Sequence, residues 1–204
     1  MSTVGPKFGG MQGDRLVAYS DGVIAIIVTI MVLDLHAPTA GDPRLLLKLW
    51  PAVSTYALSF LLVSIYWVNH HHLLQANRRI GRDVLWLNLL WLFCLSLFPF
   101  ATAYVSGTRG APWAIAIYAA LAAATGLAFL LLGMSLSRRN ADVDVVKLIA
   151  GQRQRKSLIA LALNIAAIFF AFVSTPIALL CLGLPALSYF LPDKRVEVHG
   201  LGPR

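Results

Sequence analysis

Apolar residues fill this chain in long runs, separated by short polar turns that carry Gly and Pro. The first run, Arg15 to Leu35, is long enough to cross a bilayer, which takes about 20 residues. The turn His36 to Pro43 ends it, and a second run follows from Leu45 to His71 with Pro51 near its start. A third run covers Val84 to Val105 with Pro99 inside, and a fourth covers Trp113 to Leu136. Residues 137–156 are polar and basic, with room for a short amphipathic helix. A fifth run, Ser157 to Ser174, stops at Thr175-Pro176, and a sixth continues to Leu191 through Gly183 and Pro185. Runs of this length, without ten-residue alternation, predict helices rather than a β-barrel. The pattern therefore predicts an all-α integral membrane protein. Its six transmembrane helices occupy 15–191, between a loose Gly-rich leader at 1–14 and a polar tail at 192–204.

Composition agrees. The 204 residues are 58% hydrophobic and 13% charged, with a mean hydropathy of +0.73, which leaves little room for a soluble domain. The net charge of +8 would suggest nucleic acid in a soluble protein. Here the charge lies in the loops and reports orientation instead. With six spans and a cytoplasmic N-terminus, only Arg44, Lys48 and Arg109 of the 17 Lys and Arg face outside, leaving 14 inside. This asymmetry predicts cytoplasmic termini and a multi-pass protein of the cell (inner) membrane, with no nucleic-acid partner. Cys94 and Cys181 both lie in apolar runs, as packing residues do. The polar leader, without a small-residue cleavage site, predicts no cleavable signal peptide.

The polar residues inside the first run change the picture. Ser20, Asp21 and Asp34 have no use against lipid, so this helix belongs in the bundle interior or beside a water-filled path. At about 100° per residue, Ile26, Thr29, Ile30 and Leu33 share one face, and Ser20 and Asp21 lie on the other side. That face can form an apolar constriction that blocks ions by dewetting. Ordinary packing produces the same stripe, and periodicity alone does not separate the two.

Tyr66 to His72 reads Y-W-V-N-H-H-H. Adjacent helical histidines point about 100° apart and cannot share one ion, and no Cys or Glu stands near to complete a site. These histidines are therefore expected to bond to Ser20, Asp21 or Arg15, with no metal. Asn88 lies at the same membrane side and can join them, and such polar side chains commonly tie helices together. A membrane enzyme or metal carrier built on His70 to His72 lacks the carboxylate or thiol partner that it needs. No filter sequence, phosphate-binding loop, zinc-protease motif or nucleophile elbow is present, so no enzyme activity and no cofactor are expected.

R-L-V-A-Y-S-D-G-V-I-A-I, Arg15 to Ile26, resembles the R-x-x-x-F-S-D-G-x-x-A-I signature of the transmembrane protein 175 family of potassium channels. Y-W-V-N-H-H, Tyr66 to His71, resembles that family's Y-W-x-x-H-H, and Asn88 to Thr102 is similar to its N-x(10)-P-F-x-T pattern. With one set of six spans, the chain resembles the bacterial type. The resemblance implies a homotetramer whose pore is lined by four copies of the first helix, without a filter loop, and which passes potassium with moderate preference over sodium. It implies a constriction at Ile26, further apolar layers at Ile30 and Leu33, and a selectivity role for Thr29. It also implies a network of Arg15, Ser20, Asp21 and His70 or His71 that anchors the first helix, and Trp67 and Asn88 are expected to join it. Tyr19 stands where the family usually has Phe, and its hydroxyl needs a partner if buried. Charge and four-fold symmetry suggest that Asp34 attracts cations at the outer mouth. Protons are a further candidate permeant ion. The rival reading is a proton-coupled secondary transporter with Asp21 and His70 or His71 as a relay.

Overall fold

The first helix, α1 (Phe8–Ile30), starts a full two turns before Arg15 and tightens at its far end into a 3-10 turn, Met31–Asp34. The structure, a computed structural model, describes residues 8–38, 42–75, 80–139 and 144–190. The basic positions Lys7, Arg78, Arg79, Lys194, Arg195 and Arg204 lie outside the described residues, as do Asp142 and the tail at 192–204. Beyond α1 come α2 (Arg44–Leu47), α3 (Trp50–Gln75), α4 (Arg82–Ser96), α5 (Phe98–Gly107), α6 (Pro112–Arg139), α7 (Asp144–Phe170) and α8 (Thr175–Phe190).

Proline placement explains most boundaries. Pro51 sits in the first turn of α3, where its missing N–H costs nothing, so the second run begins at Trp50 rather than Leu45. Pro99 cannot donate to Leu95, and the third run divides there. Leu97 N–H turns to Cys94 O at 3.3 Å, and α5 resumes the direction with Ala101 N–H bonded to Leu97 O. The α5–α6 turn places Arg109 at φ 53 and Gly110 at φ 75, and Gly110 N–H reaches back to Val105 O at 2.9 Å. This is a helix stop through the left-handed region.

Two expectations change. Residues 8–13 are helical, not a loose leader. The polar stretch after α6 is not a long loop with a separate amphipathic helix: α7 starts at Asp144 and runs unbroken into the fifth apolar run. Its basic residues occupy helical positions with no Pro between Asp144 and Lys156, and Gly151 is taken up inside the helix. Pro185, which the pattern reads as weakening the last run, is accommodated inside α8.

Among the described residues four helices are long and apolar enough to cross a membrane: Gly13–Asp34, Trp50–Gln75, Arg82–Gly107 and Pro112–Arg139. The core lies between α1, α3, α4/α5 and α6. Trp91 sits at its centre, fully buried, stacked on His70 at 4.4 Å and flanked by Phe129 at 5.8 Å and Tyr66 at 6.4 Å. Nearer the other end, Phe98 meets Tyr118 edge-on at 5.5 Å. Cys94 and Cys181 are buried and free, as expected of packing residues.

Three hydroxyls close the gaps between helices. Thr102 Oγ1 donates to Ser59 Oγ at 2.7 Å, Tyr118 Oη lies 2.9 Å from the same oxygen, and Ser59 Oγ donates to Thr55 O at 3.0 Å. One serine thus joins α3, α5 and α6 with every hydroxyl satisfied, as a buried polar cluster requires. At the basic end, Asp83 on α4 accepts from Ser135 and pairs with Arg139 of α6. This pair is about half exposed, so its contribution is small.

Candidate functional site

Both faces of α1 are largely apolar, unlike those of a surface helix in a water-soluble protein. Leu16, Ser20, Ile24, Ile27 and Met31 are buried, and the two core-facing helices α3 and α4 cover them. Opposite lie Ile26 (59% exposed), Ile30, Leu33 (72% exposed) and Thr29, all exposed among the described residues. The structure brings the four expected stripe residues together on one uncovered face. Met31–Asp34 winds as a 3-10 turn, so Leu33 and Ile30 lie closer to eclipsed than in an α-helix.

Thr29 is oriented by its own helix. Its hydroxyl donates to Ala25 O and Ile26 O, both at 3.0 Å. The proton is therefore turned inward, and the oxygen lone pairs are left on the exposed face. A hydroxyl held this way offers an acceptor to a passing cation.

Behind the stripe is a directional hydrogen-bonded chain of fully buried groups. His70 Nε2 donates to Asn88 Oδ1 at 2.7 Å, Asn88 Nδ2 donates to Ser20 Oγ at 3.0 Å, and Ser20 Oγ donates to Leu16 O at 2.9 Å. The Asn88 amide is oriented by this chain, and it fixes the His70 proton on Nε2. Three helices, α3, α4 and α1, are thereby locked in one register. His70 Nδ1 and Trp91 Nε1 are buried without a hydrogen-bond partner among the described residues, and the two rings stack on each other.

Asp21 anchors α1 separately, near the surface: Trp67 Nε1 donates to Asp21 Oδ1 at 2.7 Å. His71 stacks on Trp67 at 5.7 Å and bonds to Gln75 at 2.9 Å. The expected network therefore divides into a buried chain of Ser20, Asn88 and His70, and a surface group of Asp21, Trp67 and His71. Arg15 is exposed and makes no hydrogen bond to either group. Asp21 is not bonded to a histidine, so the relay imagined for a transporter has no hydrogen-bonded path among the described residues. Asp34 is exposed just beyond Leu33, and its carbonyl faces His36 Nδ1 at 3.0 Å. No cluster of three His, Cys, Asp or Glu that could hold a metal occurs among the described residues.

Sequence reasoning missed Tyr19 as a member of the stripe. It is 56% exposed and lies seven residues before Ile26, on the same face. That heptad spacing was the available signal. The hydroxyl, exposed, needs no buried partner. Ser59 and Tyr118 were also missed, because three isolated hydroxyls on separate runs form no motif.

An apolar helical bundle with polar groups buried and aliphatic groups uncovered defines a multi-pass helical membrane protein. Residues 15–99 match the family model described as the endosomal/lysosomal potassium channel TMEM175. A potassium channel of Chryseobacterium sp. (strain P1-3) is 36% identical over 187 residues, 92% of this chain and 97% of that one. A potassium channel of Streptomyces collinus (strain DSM 40733 / Tue 365) is 34% identical over 190 residues, 87% of this chain and 91% of that one. The chain belongs to the TMEM175 potassium channel family. Its fold matches the crystal structure of a lysosomal potassium-selective channel TMEM175 homolog from Chamaesiphon minutus. The TM-score is 0.74, with 23% identity, and 93% of this chain and 100% of that one are covered.

Proposed function

We propose that this protein is a passive channel that prefers potassium over sodium, a homotetramer with four copies of α1 around the pore. The observation that carries the reading is the uncovered stripe of Ile26, Thr29, Ile30 and Leu33. It is backed by a buried polar chain that spends energy to hold that face in one orientation. Membership in a potassium channel family gives the stripe its role, and four copies facing one axis would cover it. Ile26 forms the narrowest apolar layer, Ile30 and Leu33 add two more, and Thr29 presents its oxygens between them. Ser20, Asn88 and His70 anchor the helix from behind, and Asp21, Trp67 and His71 hold its cytoplasmic end.

Six spans and cytoplasmic termini complete the reading, in the cell membrane, with no cofactor. The apolar part of α7, Ser157 to Phe170, and the 16 residues of α8 rise about 21 and 24 Å at 1.5 Å per residue. That is short of the ~30 Å hydrocarbon core, and the polar first half of α7 carries it through the headgroups.

Thr29→Val keeps the β-branch and removes only the oxygen. Under potassium on one side and sodium on the other, the reversal potential of a planar-bilayer recording is expected to move toward zero. The permeability ratio should fall by about twofold or more. An unchanged ratio removes Thr29 from selectivity. Asp34→Asn is expected to lower single-channel current at about 0.01 M salt, where the Debye length is ~30 Å, and not at about 1 M, where it is ~3 Å. Equal currents at low salt contradict the role of Asp34 as an outer cation attractor.

A further inference from the structure

Asn164 of α7 is 4% exposed, and its side chain makes no hydrogen bond among the described residues. Its neighbours one helical turn away, Ala160, Leu161, Ala167 and Ile168, offer only apolar side chains. A buried amide with neither its donors nor its acceptor paired within the protein is rare and needs an explanation. Asn164 lines a cavity of about 30 Å³ between α3, α6, α7 and α8. Tyr66 of α3, Gly126 and Phe129 of α6 and Ser157 of α7 share the wall. Tyr66 Oη donates to Ala122 O at 3.4 Å, longer than a usual O–H···O bond. Ser157 and Asn164 lie two turns apart on one face of α7, about 10.5 Å along its axis. No charged side chain among the described residues lines this cavity.

We infer that this cavity is an internal water site centred on Asn164. Roughly 10–15 Å³ admits one water, so the volume takes about two and is far too small for an organic ligand. A cation would find no carboxylate there and too few oxygens to replace its hydration shell. Water suits the chemistry: it both donates and accepts, so it satisfies either end of the Asn164 amide. From Asn164 the waters reach Tyr66 Oη and run toward the Ser157 hydroxyl, which together supply the roughly two to four polar partners that a buried water needs. α7 is thereby tied to α3 through solvent, and a bridging water is nearly as good a contact as a direct hydrogen bond. Tyr66 packs against Trp91 at 6.4 Å, and Trp91 stacks on His70, so the site abuts the core that holds α1. The inference does not rest on channel activity.

Water-edited solid-state NMR of the isotope-labelled full chain in lipid bilayers tests this, by following magnetisation from water to assigned side-chain amides. Asn88 is the internal control, since it is fully buried and its amide is bonded on both sides within the protein. The expected result is transfer to the Asn164 amide at short mixing times and none to Asn88. Gly126→Ala locates the water. A Cβ at Gly126 stands 3.8 Å from Tyr66 Oη, an ordinary contact, so the backbone tolerates a methyl group that takes up the cavity. Transfer to Asn164 should be lost in this variant. An Asn164 amide as silent as Asn88 in the wild-type protein overturns the water site, and this comparison needs no variant to fold. Transfer that persists undiminished in Gly126→Ala overturns the assignment to this cavity, because the water then reaches Asn164 by another way. No flux is measured, so these outcomes stand apart from those that test the channel.

Discussion

Ile26→Asn raises resting potassium flux through reconstituted protein by about tenfold, the change expected from lowering a barrier by ~1.4 kcal/mol. At an aliphatic ring an ion must shed water and finds no replacement ligands, and a narrow apolar constriction dewets. In the proposed tetramer, four carboxamides at the same level would restore hydrogen-bonding partners and wet the proposed constriction. Exposure makes the substitution interpretable. Ile26 contacts little of its own chain, whereas Ile27, one residue on, is buried at 4% exposure. Ile27→Asn places an unsatisfied amide in the core and is expected to reduce folded protein rather than to open the pore. A pair of flux and yield measurements on the two variants separates a gate from a packing position. Equal flux in Ile26→Asn and wild type would remove the constriction from Ile26.

The second large effect is on stability. Asn88→Ala breaks both hydrogen bonds that link α3 to α1 through α4. It leaves His70 Nε2–H without an acceptor at zero exposure. An ordinary interhelical hydrogen bond in a membrane contributes only ~0.6 kcal/mol on average. Here two are lost together, a donor is stranded and a small cavity opens, so about 2–4 kcal/mol is expected. Thermal unfolding in detergent, followed by the loss of the assembled species on size exclusion, reads this. Asp21→Asn is the comparison: the amide oxygen still accepts from Trp67 Nε1, near the surface, and a change under about 1 kcal/mol is expected. If Asn88→Ala melts with Asp21→Asn, the buried chain is not what holds α1.

Much of this site was legible in the sequence because its signals are periodic or costly. A helical stripe of aliphatic residues repeats every three to four positions, and Ile26, Thr29, Ile30 and Leu33 fall on one exposed face as their spacing requires. Ser20 and Asn88 stand out because polar groups in apolar runs must find partners, and they found each other. What was not legible depends on three-dimensional neighbours. Whether Arg15 reaches back to Asp21 is a matter of rotamer and solvent, and it stays exposed. Which of three consecutive histidines turns inward depends on the phase of α3, set by Trp91 against His70. The start of α7 was hidden because polar, basic residues suit a helix in the headgroups as well as a loop. The Ser59, Thr102 and Tyr118 cluster joins three runs that share no sequence neighbourhood, so only packing reveals it.

The most direct measurement is potassium and sodium uptake into proteoliposomes over a wide range of ion concentration, with and without an imposed proton gradient. A channel predicts potassium uptake that exceeds sodium uptake, does not saturate as a carrier does, and is indifferent to the proton gradient once the membrane potential is clamped. Uptake that reaches a plateau and follows the proton gradient would contradict the account and identify a coupled transporter built on the same fold.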